Sequence, residues 1–344
     1  MTFSERKFDI SDLNLDGKSI LVTGGTGSFG QQFVRHVIDR WKTSRVIIFS
    51  RDEAKQHDMA LELPVSERQE LRYFIGDVRD ANRLEMAMRG VDIVVHAAAL
   101  KHVPAAEYNP FECIRTNVNG AENVVQAAIR SGVEKVIALS TDKAASPLNL
   151  YGASKLASDK IFVAANNLSG GSQPRFSVVR YGNVMDSRGS VVPLFRHLIA
   201  SGAESLPVTD TRMTRFWITL EQGVNFVLSC LDTMRGGEIF VPRIPSMRIV
   251  DLAQAMAPDL PHRVVGIRPG EKLHEVMITE DDARNTVRLS DRFVIQPVFD
   301  FWEDAPIRAD GAEAVEENFR YDSNTNDEWL SGEAFLNMIE ASER

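Results

Sequence analysis

Cysteine is scarce: Cys113 and Cys230 are the two thiols in 344 residues. They make no CxxC pair and no framework that would staple a small extracellular fold, so two packed thiols in a reducing cytoplasm are expected. Long apolar runs are lacking as well. The stretch from Val91 to Leu100 is broken by Asp92 and His96, and nothing approaches the roughly 20 residues that cross a bilayer. The lead Met1 to Ile10 has no apolar core of the signal-peptide kind, so a cytoplasmic protein with no membrane partner is expected. Basic residues are outnumbered, 39 Lys and Arg against 48 Asp and Glu, for a formal net charge of -9. That balance argues against a nucleic-acid surface, while an anionic small molecule can still sit in a locally basic pocket. The seven histidines form no HExxH and no cluster with cysteine, and no metal site is expected. His96 reads as packed and hydrogen-bonded in a strand, and His102 as a candidate pocket residue beside Lys101.

What the chain has in quantity is alternation. With 44% hydrophobic residues it has ample material for a core. Short β-branched runs at 19–22, 46–49, 71–75, 91–95, 136–139 and 176–179 alternate with helical patterns. Runs that are continuously apolar belong in a sheet covered on both faces, and the spacing between them suits right-handed crossovers. The expectation is an α/β fold with a doubly wound parallel sheet, ligands lying at the strands' C-terminal ends. The rhythm breaks after residue 182. Residues 1–182 are expected to form the nucleotide-binding core, 183–299 mainly a smaller substrate lobe with segments packing back on the core, and 300–344 a tail. A strand at Glu238–Val241 and a helix at Ile249–Met256 are expected in the lobe, and a helix over Phe216–Met234 packs back. The tail, acidic apart from Trp302, Phe319, Trp329 and Phe335, reads as a lid, an oligomer contact or surface covering. The segments 86–88 and 252–256 have core-like helical spacing, and Met1 to Gly17 has no evident role.

Thr23-Gly24-Gly25-Thr26-Gly27-Ser28-Phe29-Gly30 follows the first strand and opens a helical segment. Glycines at 24, 27 and 30 permit the tight turn and the close approach of a pyrophosphate, which free N–H groups at a helix N-terminus stabilise. At the end of the second strand, Ser50-Arg51-Asp52 stands where NAD proteins usually carry a carboxylate. Arg51 and Lys55 are suited to neutralising a 2′-phosphate, which favours NADP, although Asp52, one residue late, remains an alternative ribose acceptor. Asp77 and Val78 end another strand and are candidates to flank an adenine, and Ala97-Ala98-Ala99 offers small residues beside a flat ring.

Four proton-transferring side chains lie just past the fifth strand pattern. Tyr151 and Lys155 stand four apart where a helix begins, so an ammonium can favour the phenolate that removes a proton from a sugar hydroxyl. Thr141 or Ser140 supplies the partner hydroxyl. Asp142 and Lys143 are a surplus pair for simple alcohol oxidation. Oxidation at C4 of a sugar acidifies C5–H, and then Lys143, with its pKa lowered by desolvation or neighbouring cations, removes that proton. Asp142, held protonated, protonates the departing C6 hydroxyl.

These runs, together with Leu100 to Pro104, Arg180 to Val184 and Gly266 to Lys272, resemble the extended short-chain dehydrogenase/reductases (Rossmann) over about residues 18–296. Within them the chain looks like the inverting UDP-N-acetylglucosamine 4,6-dehydratases that open pseudaminic acid synthesis. The resemblance implies an NADP-dependent hydro-lyase that acts on UDP-N-acetylglucosamine, gives a 4-keto-6-deoxy sugar of L-arabino configuration, and assembles as a homo-oligomer. It implies Asp142, Lys143 and Tyr151 as catalytic residues, Lys143 being the C5 base, with Lys155 as the tyrosine's partner and Thr141 beside them. Thr26 to Phe29, Ser50 to Lys55 including Glu53, Asp77, Val78, Ala97, Lys101, Tyr151, Lys155 and Val184 fall where that family touches NADP. Lys101, Asn183, Arg215, Arg268 and Glu271 fall where it touches the nucleotide sugar; the two arginines suit a diphosphate and Glu271 a ribose hydroxyl. Asp186 departs from the small residue common in the family and bears on sugar preference. A retaining dehydratase or a 4-epimerase of a UDP-sugar, and a non-catalytic NADP-binding regulator, are the alternatives.

Overall fold

The β-branched runs become parallel strands because their side chains are covered from both sides. In a computed structural model describing residues 6–170, 173–185, 187, 189–298 and 311–342, strands β1 (Ser19–Thr23), β2 (Arg45–Ser50), β3 (Leu71–Ile75), β4 (Ile93–His96), β5 (Lys135–Thr141) and β6 (Arg175–Tyr181) alternate with helices. The helices are α1 (Ser28–Arg40), α2 (Glu53–Glu62), α3 (Ala81–Met88), α4 (Val103–Tyr108), α5 (Pro110–Ile114), α6 (Gly120–Ser131) and α7 (Leu150–Leu168). All of β1 and β4 is buried, whereas β3, at the sheet edge, leaves Ile75 exposed. Strand order is β3-β2-β1-β4-β5-β6, parallel throughout. The order reverses between β1 and β4, which opens a crevice at their carboxyl ends.

Beyond β6 the sheet continues into chain that follows the expected boundary at residue 182. Ile239–Pro242 adds in parallel, and Arg292–Ile295, Thr286–Arg288 and Glu313–Ala314 add antiparallel, giving ten strands. The strand expected at Glu238–Val241 therefore belongs to the core sheet and not to a separate lobe. The helix expected over Phe216–Met234 is also corrected. Thr214–Ile218 is a strand with all five residues buried, and Thr219 then starts the helix Leu220–Thr233 through a capping box with Gln222.

A second hydrophobic core gathers Met185, Phe195, Trp217, Leu252 and Phe335. The described part of the tail helps to build it: the Phe335 ring meets Trp217 edge-on at 5.0 Å, and Phe319 lies 5.0 Å from Phe293 on the main sheet. This is interior packing, unlike the lid or covering expected of the tail; Trp302 and Asp186 lie outside the described residues. The lead is structural too. Phe8 packs on Phe226 at 4.8 Å, and Arg6 donates to Glu328 at 2.6 Å, so the lead straps the helix Leu220–Thr233 to the C-terminal segment. Both cysteines are buried. Of the 86–88 segment Ala87 and Met88 are core, while Met86 is half exposed. Among the described residues no helix is long and apolar enough to cross a membrane.

Candidate active site

A cavity of about 650 Å³ lies across the carboxyl ends of β1, β2, β4, β5 and β6. Its first wall is the glycine turn leading into α1. Gly24 has φ +66°, and a Cβ there would lie 2.9 Å from Ala98 N; a Cβ on Gly30 would lie 2.5 Å from Gly25 Cα. The turn is thus pressed against both the β4 end and itself, leaving helix N–H groups facing the cavity as a pyrophosphate needs. Thr26, Gly27, Ser28, Phe29, Asp77, Val78 and Ala97 all line it. Three buried polar atoms on its wall, Thr116 Oγ1, Asn183 Oδ1 and Ser190 Oγ, have no hydrogen-bond partner. Such orphans are what a polar ligand satisfies, and with the glycine cradle they fit a dinucleotide.

At the end of β2, Thr26 and Ser50 share a hydroxyl contact at 2.8 Å. Arg51 projects with its side chain 55% exposed, 3.7 Å from Asp77. Asp52, the alternative ribose acceptor, is engaged within its own helix. Its carboxylate caps α2 through the Lys55 N–H at 3.0 Å and pairs with Lys55 Nζ at 2.7 Å. Arg51, Asp52 and Lys55 line the cavity; Glu53, in the first turn of α2, does not.

The reactive residues converge because two short elements are forced together. β5 ends in Thr141, and a single 3-10 turn, Asp142–Ala144, follows. Asn149 then caps α7, its Oδ1 accepting from Gly152 N–H at 2.8 Å, so Tyr151 and Lys155 fall on one face of the first turns. Gly152 sits against the 3-10 turn, where a Cβ would collide with the Lys143 carbonyl. Thr141 Oγ1 donates to Asp142 Oδ1 at 2.9 Å, and Lys143 Nζ donates to the same oxygen at 3.0 Å. Ser140 points elsewhere, to Asp159 at 2.9 Å. Of the two hydroxyls offered by the sequence, Thr141 is the one beside Tyr151, its proton given to Asp142.

The charges differ from expectation in two respects. Burial pushes the Tyr151 phenol up to about 12, and the charge of Lys143 is the largest influence working against it, followed by the Thr141 hydroxyl. Lys155 is buried, its pKa lowered by desolvation and supported by the charge of Asp159. For Lys143 the expectation of a lowered pKa is corrected. Burial does act in that direction, but the carboxylates of Asp142 and Glu275 outweigh it, and its ammonium is held above the ordinary lysine range. Lys101, also on the cavity wall, is lowered by burial and then by the charge of Lys143. His96 is buried with Nδ1 2.8 Å from Thr23 Oγ1, and desolvation brings it down to about 3. His102 lines the cavity.

Of the expected sugar-nucleotide residues, Lys101 and Asn183 line the cavity, as does Val184 on the cofactor side; Arg215, Arg268 and Glu271 do not. Arg215 is buried and spends its guanidinium on the carbonyls of Thr214 (2.7 Å), Lys272 (3.0 Å) and Leu273 (3.2 Å). Arg268 is exposed and paired with Glu271, so the diphosphate donor and the ribose acceptor assigned to this loop are engaged with each other. Sequence reasoning missed the far side of the site. Lys272 Nζ donates to Ala145 O at 2.6 Å, Asn149 Nδ2 to Gly270 O at 2.8 Å, and Glu275 stands 3.4 Å from Lys143. The one signal for Glu275 was an acid set among Leu273, Val276, Met277 and Ile278 at a strand start.

The profile of a polysaccharide biosynthesis protein family matches residues 20–297. A UDP-N-acetylglucosamine 4,6-dehydratase (inverting) of Campylobacter jejuni subsp. jejuni serotype O:23/36 (strain 81-176) is 55% identical over 95% of this chain and 99% of its own. The X-ray structure of Pen from Bacillus thuringiensis superposes with TM-score 0.87 at 34% identity, covering 96% of this chain and 99% of that one. DesIV, a dTDP-glucose 4,6-dehydratase from Streptomyces venezuelae solved with NAD and TYD bound, has TM-score 0.65 at 26% identity over 74% of this chain and 86% of that one. The fold is that of the extended short-chain dehydrogenase/reductases.

Proposed function

Because this chain belongs to the polysaccharide biosynthesis protein family, we propose that it removes water across C5 and C6 of UDP-N-acetylglucosamine with inversion at C5, using NADP. The observation that carries this reading is Lys143, which lines the cavity with Tyr151 and is joined at 3.0 Å to Asp142, fully buried directly behind it. A bound nicotinamide dinucleotide would be held by the glycine turn of residues 24–30 with Asp77, Val78 and Ala97, and would supply reversible hydride chemistry beside Tyr151. Tyr151, beside Thr141, takes the C4 hydroxyl proton. Lys143 takes the C5 proton made acidic by the C4 ketone, and Asp142, in its protonated form, delivers that proton to the leaving C6 hydroxyl and is re-protonated as the cycle closes. Lys155, held in a dry pocket, orients ribose and phenol.

Arg51 and Lys55 at the end of β2 support NADP over NAD. Lys101 and Asn183 contact the sugar, and Arg268 and Glu271 part to meet the diphosphate and ribose, as Arg215 holds the carbonyls of residues 272 and 273 in place. The segment 183–299 supplies most of the substrate side. Tyr108, Phe111 and Leu148 are strongly exposed apolar side chains and support assembly with further copies of this chain. The reaction is that of the first step toward a pseudaminic-acid-type sugar, in the cytoplasm. The test is an NMR time course with UDP-N-acetylglucosamine in deuterated water. A 4-keto-6-deoxy product of inverted C5 carrying deuterium is expected; a 4-epimer with its C6 oxygen retained, or a product with unexchanged C5, refutes the assignment.

A further inference from the structure

A base must be free of its proton, and Lys143 is surrounded by groups that keep it charged. Its Nζ lies 3.0 Å from Asp142 Oδ1 and 3.4 Å from Glu275 Oε1. Asp142 is committed as the acid toward C6 in the function proposed above. Glu275 carries no such role. It is 1% exposed and does not line the cavity, so it reaches the chemistry only through Lys143. Its carboxylate faces two further cations, Arg215 Nε at 3.7 Å from Oε1 and Lys272 Nζ at 3.8 Å from Oε2. Beyond Lys143 lie Asp142, Tyr151 and Lys101. Oε2 is buried without a hydrogen-bond partner, an acceptor position left open in a dry interior, which is costly unless put to use.

The backbone of Glu275 is fixed from the tail. Its N–H donates to Ser323 Oγ at 2.9 Å, and Ser323 N–H donates to its carbonyl at 2.8 Å. Val276–Ile278 pairs with Tyr321–Asp322 immediately after it. A buried carboxylate clamped this firmly, with Oε1 3.4 Å from the half-buried Lys143 ammonium and Oε2 left without a hydrogen-bond partner, is built for more than packing.

The geometry points to Glu275 as a positioning residue and proton acceptor for Lys143: it holds the ammonium at the cavity wall and takes its proton when substrate arrives. The inference rests on the function proposed above. One Lys143 N–H bond breaks and one Glu275 O–H bond forms, with no change in electron count. The resulting amine forms an N–H bond as C5–H breaks, the electron pair passing into the enolate that expels the C6 oxygen with the proton of Asp142. The Lys143–Glu275 pair holds one proton at rest and two after C5 is deprotonated, and passes the second to Asp142, 3.0 Å from Lys143, restoring the acid as the cycle closes.

The deciding experiment compares wild type, Glu275→Gln and Glu275→Asp across pH 6 to 10, following kcat, KM and deuterium entry at C5 with NADP and UDP-N-acetylglucosamine. A pair that shares one proton keeps a fixed fraction of its reactive form between its two titrations, so wild type runs flat through neutrality. Glu275→Gln leaves solvent as the sole sink. Its kcat falls at least about tenfold at pH 7 and climbs about tenfold per pH unit, while KM and NADP affinity stay within about threefold. Glu275→Asp keeps an acceptor and restores the flat profile at a lower ceiling. If Glu275 were only a counter-ion, removing its charge would free Lys143, and Glu275→Gln would be as fast as wild type or faster at pH 7. That result overturns the inference, as does a variant whose rate drops in step with NADP affinity or without a change in profile. A wild type that places no deuterium at C5 refutes the dehydratase reading itself, whatever the variants do.

Discussion

Gly152→Ala tests whether the placing of the Asp142–Lys143 turn, and not its mere presence, sets the rate. An added Cβ would lie 3.0 Å from Pro147 Cβ and 3.2 Å from the Lys143 carbonyl carbon, with the Lys143 oxygen closer still. Comfortable carbon contacts begin at about 3.5 Å, so the turn or the start of α7 must retreat by about 1 Å. Neither is a flexible side-chain end. The turn hangs from β5, and α7 is anchored by the Asn149 cap and by Asn149 Nδ2 on Gly270 O at 2.8 Å. Overpacking of this kind costs about 1–3 kcal/mol, and a reacting group misplaced by about 1 Å costs about a hundredfold in rate. The expected outcome is a lowered urea midpoint together with an approximately hundredfold slower C5 exchange in single turnover. Gly223→Ala is the matched control. It lies in the helix Leu220–Thr233 with nothing within 4 Å of a new Cβ, and it should stabilise by about 0.5–1 kcal/mol at unchanged rate. A Gly152→Ala enzyme with wild-type exchange would refute the claim that this close approach places Lys143.

Arg51→Ala removes an exposed cation at the end of β2, and should weaken NADP binding about tenfold in a titration while leaving NAD unchanged; equal losses would dissociate Arg51 from the 2′-phosphate. Phe335→Ala should cost about 3–5 kcal/mol in urea unfolding, because the ring is fully buried against Trp217. NADP affinity should survive it, since Phe335 belongs to the second core and not to the one beneath the nucleotide cradle. His96 adds an acid liability. Its folded pKa of about 3 lies below the unfolded 6.5, so between those values the unfolded chain binds a proton that the folded chain refuses. The contribution is fully present above pH 6.5 and is lost as pH falls, at about 1.4 kcal/mol per unit. Urea midpoints at pH 7.5 and 5.5 should diverge less in His96→Asn than in wild type; an unchanged divergence would clear His96.

The sequence made the sheet legible because burial on both faces writes itself as unbroken β-branched runs: β1, β2 and β4 stand where those runs stand. The cradle was legible for a similar reason, since each glycine answers a local steric demand. The boundary at residue 182 was less so. Whether Ile239–Pro242 joins the core sheet or a lobe depends on a free edge of β6, a fact of topology that no local pattern carries. The same holds more sharply for the charges. Tyr151 and Lys155 are neighbours on a helix, and helical spacing brought them together, yet the cation acting on Tyr151 is Lys143, from the preceding turn. Lys143 in turn faces Asp142 from its own turn and Glu275, delivered from the start of a strand whose register is set by residues 321–323. Residue type and spacing can nominate an acid or a base. Its protonation depends on which distant segment closes the pocket, and here that segment places a buried carboxylate 3.4 Å from Lys143.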